Sequence, residues 1–600
     1  MVRRVKKAFQ LIREAGVKEF LQRLAAHFWP EGVSYRKWRK RHHPGQKELI
    51  RQRQEQQEWQ ERPLVSIVVP AYHTPRRFLE ELLESVQAQT YTNWQLCIAD
   101  GSSDSAVEDV AAEYREKGCN IVYKRLQENR GIAENTNVAM ELAEGRWIGF
   151  LDHDDLLAPD ALYEVVKAIG QDPETDLVYT DEDKITENSR KYFEPHLKPD
   201  FNLDLLRSNN YITHFLVIRR DLWEKIGGFR RKYDGAQDYD FILRCTEQAG
   251  RIVHIPKNLY HWRVHALSTA ENPESKLYAF QAGKRALEDH LARQGVKADV
   301  AMREGDQLGF YDVKYQVDGQ PLVSILIPNK DQVESLEACL RSVEASTYPN
   351  VEIVIIENNS TQPETFSYYE TLTDCRYPIQ VLRWEGPFNY SAINNYGFYH
   401  TKGEYVVLLN NDVKLLNPRW LEELLGNCQR PEVGIVGARL YYPDDTIQHA
   451  GVVLGLGGGV MSKGVAGGVF VGLDRWKDGY LHKASLQMDY SAVTAACMMT
   501  KRSVYQHVGG MEERLAVAFN DIDYCLKVRE AGYLVVYNPH VEAYHYESKS
   551  RGAEDTPEKV RRFQGEVEFM HEKWGELLQK DPYYNPNWSL KKDYVLGMGE

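Results

Sequence analysis

The sequence predicts two consecutive α/β domains behind a basic helical head, and three observations lead there. A phrase of the chain recurs far downstream, each copy alternates Val/Ile-rich strands with amphipathic helices, and the composition is that of a folded protein. PLVSIVVPAY, beginning at Pro63, returns as PLVSILIPNK at Pro321. A repeat spaced by about 258 residues is a duplicated domain rather than a solenoid, whose units run to a few tens of residues. The 43% hydrophobic and 27% charged fractions suit a globular chain with sizeable cores.

The head comes first. Residues 1–53 carry fifteen Lys or Arg against four Asp or Glu, while the whole chain has a net charge of −13, so the body is acidic. That balance, without a recognised reader motif, argues against nucleic-acid binding. Val5, Phe9 and Ile12 share one helical face that Phe20, Leu24 and Phe28 continue, and YRKWRKRHH (35–43) adds a second basic cluster. Two readings remain open: an interfacial helix drawn to anionic lipid, or a helix packed on the body. No run of about 18 apolar residues predicts a membrane span, no secretory signal is read at the N-terminus, and the eight cysteines contain no C-x-x-C pair. A reduced, cytoplasmic setting with peripheral contact at the inner membrane face follows as the expectation.

The first domain is expected over 63–305 and the second over 306–600, after a head of 1–62. Further segments align between the copies: 83–104 with 340–361, 146–155 with 404–413, and 235–250 with 518–532. The later motifs lie farther apart than the opening ones, so the second copy carries an insertion. The strands are nearly uninterrupted in Val and Ile, as in a parallel sheet covered on both faces. Helices at 76–88 and 332–345 supply the crossovers. In such sheets ligand chemistry gathers at the carboxyl ends of the strands.

Carboxylates stand at those ends. WQLCIA ends in Asp100 beside a Gly-Ser turn. RWIGFL ends in Asp152-His153-Asp154-Asp155. Three carboxylates in four residues repel one another unless a cation lies among them, and such oxygen ligands suit Mg²⁺ or Mn²⁺. A helix N-cap is the alternative use, because Ala158-Pro159-Asp160 opens a helix, but a cap needs one aspartate. In the second copy Asn410 replaces Asp152 and Val413 replaces Asp155, leaving Asp412 charged. The Gly-rich stretch 451–468 fits neither dinucleotide nor P-loop spacing; it reads either as a lid over an acceptor or as a surface loop, with Gln448 and His449 beside it as acceptor contacts.

These motifs resemble family 2 glycosyltransferases of GT-A fold. VSIVVPAY, ADGSSD, ENRGIAENTN, LDHDD, YTDEDK, GAQDYD and YHWRVH carry the likeness in the first half; IIENNST, LLNNDV, FNDIDYCLKVREAG and YHYESKSRG carry it in the second, which is similar to rhamnosyltransferase-like proteins of O-antigen and cell-wall polysaccharide synthesis. The resemblance covers residues 63 to about 570. It implies two Rossmann-like nucleotide-diphospho-sugar transferase domains, with Pro70, Tyr72, Asp100 and Asp152, and Pro328, Glu357 and Asn410, binding the nucleotide sugar. It implies Asp154 with His261, and Asp412 with His545, as ligands of Mn²⁺ or Mg²⁺; His265 competes with His261. Asp238 and Asp521 would be the general bases of an inverting transfer. The donor would be a nucleotide-diphosphate sugar and the acceptor a lipid-linked oligosaccharide or polysaccharide. The alternative is one catalytic domain, the first, with an acceptor-binding second. A sugar-nucleotide-forming nucleotidyltransferase is disfavoured, because PAYHTP stands where its Gly-rich basic loop would follow the first strand.

Overall fold

The computed structural model describes residues 34–265, 277–457, 464–547 and 556–597. The expected amphipathic face of Val5 to Phe28 lies outside them. The head as described is two helices, Tyr35–His42 and Gln46–Glu55, and both pack on the first domain. Trp38 is 2% exposed, the Arg39 guanidinium stacks 3.4 Å over the Tyr192 ring, and Tyr35 donates its hydroxyl to Asp183. Gln52 and Gln56, in the polar run RQRQEQQEWQER, are buried against Thr90. For this part of the head the packed reading holds.

The first domain contains β1 (Val65–Ala71), β2 (Trp94–Asp100), β3 (Ile121–Arg125), β4 (Trp147–Phe150), β5 (Leu156–Leu157), β6 (Leu177–Thr186), β7 (Tyr192–His196), β8 (Leu216–Arg219) and β9 (Ile252–Val264). They form one sheet in the order β3-β2-β1-β4-β8-β6-β9-β5, with β7 on β6. β1, β2, β3 and β4 are parallel, and β8 enters antiparallel between β4 and β6. The buried faces of β1 and β2 explain the near-continuous apolar runs: every β1 residue but Pro70 is buried.

A hairpin, β10 (Ala298–Met302) and β11 (Tyr311–Tyr315), joins the two sheets, and the expected boundary at 305 falls in its turn. The second domain repeats the plan with β12 (Val323–Asn329), β13 (Val351–Asn358), β14 (Ile379–Trp384), β15 (Tyr405–Leu409), β16 (Val413–Leu415) and β17 (Val433–Tyr441). The insertion follows as β18 (Ile447–His449), β19 (Val452–Leu454), β20 (Ala466–Gly468) and β21 (Met488–Asp489), before β22 (Cys497–Lys501) and β23 (Leu534–His545). The order β14-β13-β12-β15-β22-β17-β23-β16 matches the first sheet strand for strand, with β18 on β17 as β7 is on β6, and β21 added on β23.

The Gly-rich stretch is not a plain surface loop where it is described. β19 and β20 pair as a short antiparallel hairpin whose Val453 and Val465 are fully buried. The Leu454 amide donates to Asp581, and the Phe470 amide to Asp593, so the C-terminal tail clamps it. Residues 458–463, which a lid reading would need, lie outside the described residues.

The two domains share one apolar core that runs from Leu205 and Tyr211 through Tyr311 and Tyr315 to Val493, Tyr537 and Trp588. Polar contacts fix the same seam. Asn202 and Asp489 exchange hydrogen bonds of 2.8 and 3.0 Å. Asn585, from the tail, donates to Asp181 of β6 at 2.8 Å.

Candidate active sites

Each site is assembled at the carboxyl ends of the parallel strands. Asp100 ends β2 opposite Ala71 of β1 and is fully buried. Its Oδ1 accepts from the Ser102 amide at 2.8 Å, and its Oδ2 from the Tyr123 hydroxyl at 2.8 Å. Glu357 holds the matching place in the second domain: it accepts from the Ser360 hydroxyl at 2.7 Å and from the Tyr369 hydroxyl at 2.6 Å. The longer glutamate reaches a serine three residues on, where aspartate reaches one two residues on, so both build the same turn. Pro70 and Pro328 sit at the same register of their strands, opposite Ala99 and Ile356. Tyr72 is half exposed at the rim, its ring against His73.

The Asp152–Asp155 segment leaves β4 and turns into β5. Asp155 is wholly buried and accepts from the Tyr260 hydroxyl (2.5 Å) and the Arg263 amide (2.6 Å), which ties the loop to β9. Asp160 precedes the helix Ala161–Gln171, but its side chain caps nothing there. Asp152, Asp155 and His214 bring ligand atoms within 4.8 Å of one another. Asp154 Oδ2 lies 2.7 Å from His265 Nε2. Burial pushes the Asp152 and Asp155 carboxyls up, and Asp154 pushes both further. Burial alone would lower His214, yet Glu182, then Asp152 and Asp155, raise it to about 9. This is the electrostatics of a pocket short of positive charge, and its carboxylate and imidazole donors fit a hard divalent cation.

His214 was not foreseen from sequence. It stands just before β8, whose Val217 pairs Gly149 of β4, and this neighbour strand carries it beside Asp152. Nothing in YITHF marks it. Glu182, in the YTDEDK segment, holds it from behind at 3.1 Å, and Lys198 pairs with Glu182 in turn at 3.2 Å.

His261 is not brought to Asp154. Its Nδ1 lies 2.6 Å from Asp183, and the ring is buried. Strand register gives the reason. Leu156, two residues past Asp154, pairs with His261, whereas Val413, one past Asp412, pairs with His545. His261 also pairs with Asp183 of β6, a place that Tyr544 takes opposite Tyr441 in the second domain. His545 therefore occupies the position of Trp262, not of His261, and one residue along a strand turns a side chain to the other face. In the first domain His265, just beyond β9, faces Asp154 instead.

In the second domain His545 Nε2 lies 3.2 Å from Asp412 Oδ1 and 3.3 Å from the Asn410 amide. Gln448 Oε1 lies 2.7 Å from His545 Nδ1, so it supports this histidine rather than facing outward. His449 is buried, and burial lowers it to about 3.

The two later aspartates open helices Gln237–Gln248 and Asn520–Glu530. Asp238 accepts from Asn210 at 2.9 Å, and burial pushes its carboxyl up. It lines one cavity with Asp152, His214, Thr213 and Pro70. Asp521 accepts from the Ala495 and Ile522 amides, and burial raises it likewise. Tyr390 donates to Asn410 at 3.2 Å and to the Ala495 carbonyl at 3.1 Å, which joins the two halves of the second site.

The strand-end carboxylates and a later aspartate at the head of a helix thus recur in both halves of the chain. Residues 66–227 and 324–509 match glycosyl transferase family 2, and the chain belongs to that family. It is similar to the uncharacterized protein y4gI of Sinorhizobium fredii, with 45% identity over 89% of this chain and 58% of the relative. It is also similar to the O-antigen biosynthesis protein RfbC of Myxococcus xanthus, with 37% identity over 88% of this chain and 40% of the relative. The chain thus spans about half the length of these relatives. Among solved structures, GalNAc-T7 with UDP, GalNAc and Mn²⁺ is 14% identical over 46% of this chain and 52% of that one, at a TM-score of 0.35. Among the described residues no helix is long and apolar enough to cross a membrane.

Proposed function

We propose that each domain transfers a sugar from a nucleotide-diphosphate sugar to a growing surface polysaccharide, with inversion at the anomeric carbon. The observation that carries this reading is the cavity that sets Asp238 across from Asp152 and His214. The O-antigen name of one relative supports the polymer class.

Asp152, Asp154 and His265, with His214 behind them, would hold Mn²⁺ or Mg²⁺ in the first domain; Asp412, His545 and the Asn410 side chain would do so in the second. When bound, the cation supplies positive charge for the leaving diphosphate. The residues do the rest. Asp238 takes the proton of the acceptor hydroxyl as its oxygen bonds to the anomeric carbon, and the bond from that carbon to the diphosphate oxygen breaks with its electron pair on the diphosphate. A carboxyl raised by burial is a stronger base than a solvated one, and general-base catalysis contributes about 10²–10⁴ in rate. Asp521 plays the same part in the second domain. One base and no covalent nucleophile correspond to a single displacement. Asp100 and Glu357 support the nucleotide pocket by shaping its turn.

A second reading has the first domain alone catalytic and the second binding acceptor. The observation in its favour is the thinner donor set, with Asn410 and Val413 where the first domain has aspartates. We further propose a lipid-linked acceptor and peripheral contact with the inner membrane face through residues 1–53, on the strength of the basic head.

Thermal shift with a set of nucleotide sugars, with and without Mn²⁺, on wild type, Asp154→Ala and Asp412→Ala separates the readings, because a ligand raises stability by mass action. Two donors lost in different variants support two working sites. Loss only in Asp154→Ala supports the second reading. No shift by any nucleotide sugar overturns both.

A further inference from the structure

We propose that the seam between the two domains forms a glycan-binding groove serving the first active site, with one wall supplied by the second domain and the C-terminal tail. The inference rests on the transferase reading above and adds where the acceptor chain lies.

The groove has a volume of about 580 Å³, within the usual range of ligand sites. One wall is the first domain's, with Trp262 of β9 and Glu194 of β7. The other is built from Tyr480 and Leu481 of the insertion and Trp588 and Tyr594 of the tail. Tyr480, Trp588 and Tyr594 form a ring cluster, with centroids 4.9 Å apart for Tyr480 and Trp588 and 5.3 Å for Tyr480 and Tyr594. The Tyr480 hydroxyl crosses the seam, donating to the Pro195 carbonyl at 2.9 Å and accepting from the Leu197 amide at 3.2 Å. The groove therefore exists only while the domains are docked.

It lies beside the donor site. Trp262 lies 5.9 Å from the His214 ring, centroid to centroid, and Glu182, on the groove floor, grips His214 at 3.1 Å. His214 in turn faces Asp152. The His214 imidazole thus stands between the groove and the carboxylates of transfer, which places a chain in the groove next to the first active site.

The lining selects the occupant. Flat rings on both walls match the apolar C–H faces of pyranose or furanose rings. Glu194 is the exposed carboxylate of the rim and pairs with Lys184 at 2.7 Å, whereas Glu182 is taken up by Lys198 and His214 and Asp183 by His261 and Tyr35, so the groove offers polar contacts at its rim without an unpaired charge on its floor. A neutral polyhydroxyl chain satisfies both features.

The test uses the full chain on an array of defined oligosaccharides containing rhamnose, galactose, glucose, galactofuranose and N-acetylhexosamines. Leu481→Arg and Glu194→Ala alter exposed rim positions and should fold; the nucleotide-sugar thermal shift with Mn²⁺ checks that the donor site stands. The expected result is oligosaccharide binding by wild type, weakened at least tenfold in both variants, with the donor shift unchanged. An intact donor shift with no oligosaccharide bound by wild type, or with binding unchanged in both variants, overturns the groove and leaves the transferase reading standing. Loss of the donor shift in wild type instead overturns the transferase reading itself.

Discussion

The Arg430 guanidinium of the second domain closes on the Asp204 carboxylate of the first through hydrogen bonds of 2.6 and 2.7 Å, and neither side chain is more than 3% exposed. Burial pushes Asp204 up, but Arg430 overrides it and holds the carboxyl well below the ordinary range. Gln487 adds a third hydrogen bond at 2.6 Å. Arg430→Ala would strand a buried charge, at a cost of about 3–5 kcal/mol. Replacing both partners with apolar residues of similar volume should recover most of that, because the pair itself is costly to desolvate. Urea midpoints of the single and double variants check this; a double variant no better than the single one would rule it out.

The joining hairpin makes a pH-dependent contact. Burial raises Asp312, but hydrogen bonds from His540 and Arg303 more than offset it and hold the carboxyl at about 2, against an ordinary 3.8. A depressed carboxyl stabilises fully above the unfolded value and loses that contribution as pH falls through the folded one. Asp312→Asn should therefore cost roughly 2 kcal/mol at pH 7, a difference that shrinks from about pH 5 downward. Urea unfolding of both proteins at pH 7, 4, 3 and 2 measures the difference, most of which is lost between about pH 4 and 2, and a deficit unchanged down to about pH 2 would refute the assignment.

Asp238→Asn and Asp521→Asn separate catalysis from donor binding. Each is expected to lower transfer by its own domain about 10²–10⁴-fold while sparing the thermal shift given by nucleotide sugar and Mn²⁺. Single-sugar transfer assays on the two variants report which domain adds which unit. Equal loss of donor binding would place these residues in the donor pocket instead of at the acceptor.

Sequence carried the architecture well, because a duplicated phrase and unbroken Val/Ile strands leave few alternatives to two α/β sheets that open on parallel strands; the antiparallel entry of β8 and β22 was not legible. It carried strand-end residues nearly as well: Asp100, Asp152 and Asp412 stand where a strand stops, which is a local property. Residues that reach a site from neighbouring strands were not legible. His214 arrives beside Asp152 only because β8 inserts next to β4. His261 and His545 both follow a tyrosine, but a one-residue difference in register between the sheets turns those histidines to opposite faces. The head's positive charge left lipid contact and packing on the body both open, and the choice for Tyr35 and Arg39 rests on Asp183 and Tyr192, some 150 residues away in sequence.

Gln448 offers a separate handle on the second site. Its amide nitrogen donates to Glu547 at 3.1 Å, which turns its oxygen toward His545 Nδ1 at 2.7 Å. Nδ1 must then carry the proton, and Nε2 presents its lone pair toward Asp412. Outer partners of this kind typically contribute 10- to 100-fold in metal affinity. Gln448→Leu should weaken Mn²⁺ binding by that margin, measured by titration in an Asp154→Ala background so that the first site is silent. Gln448→Glu keeps the acceptor and should retain affinity. If the leucine variant binds Mn²⁺ as tightly as its parent, His545 is not a ligand, and the second domain holds its cation, if any, through Asp412 and the donor phosphates alone.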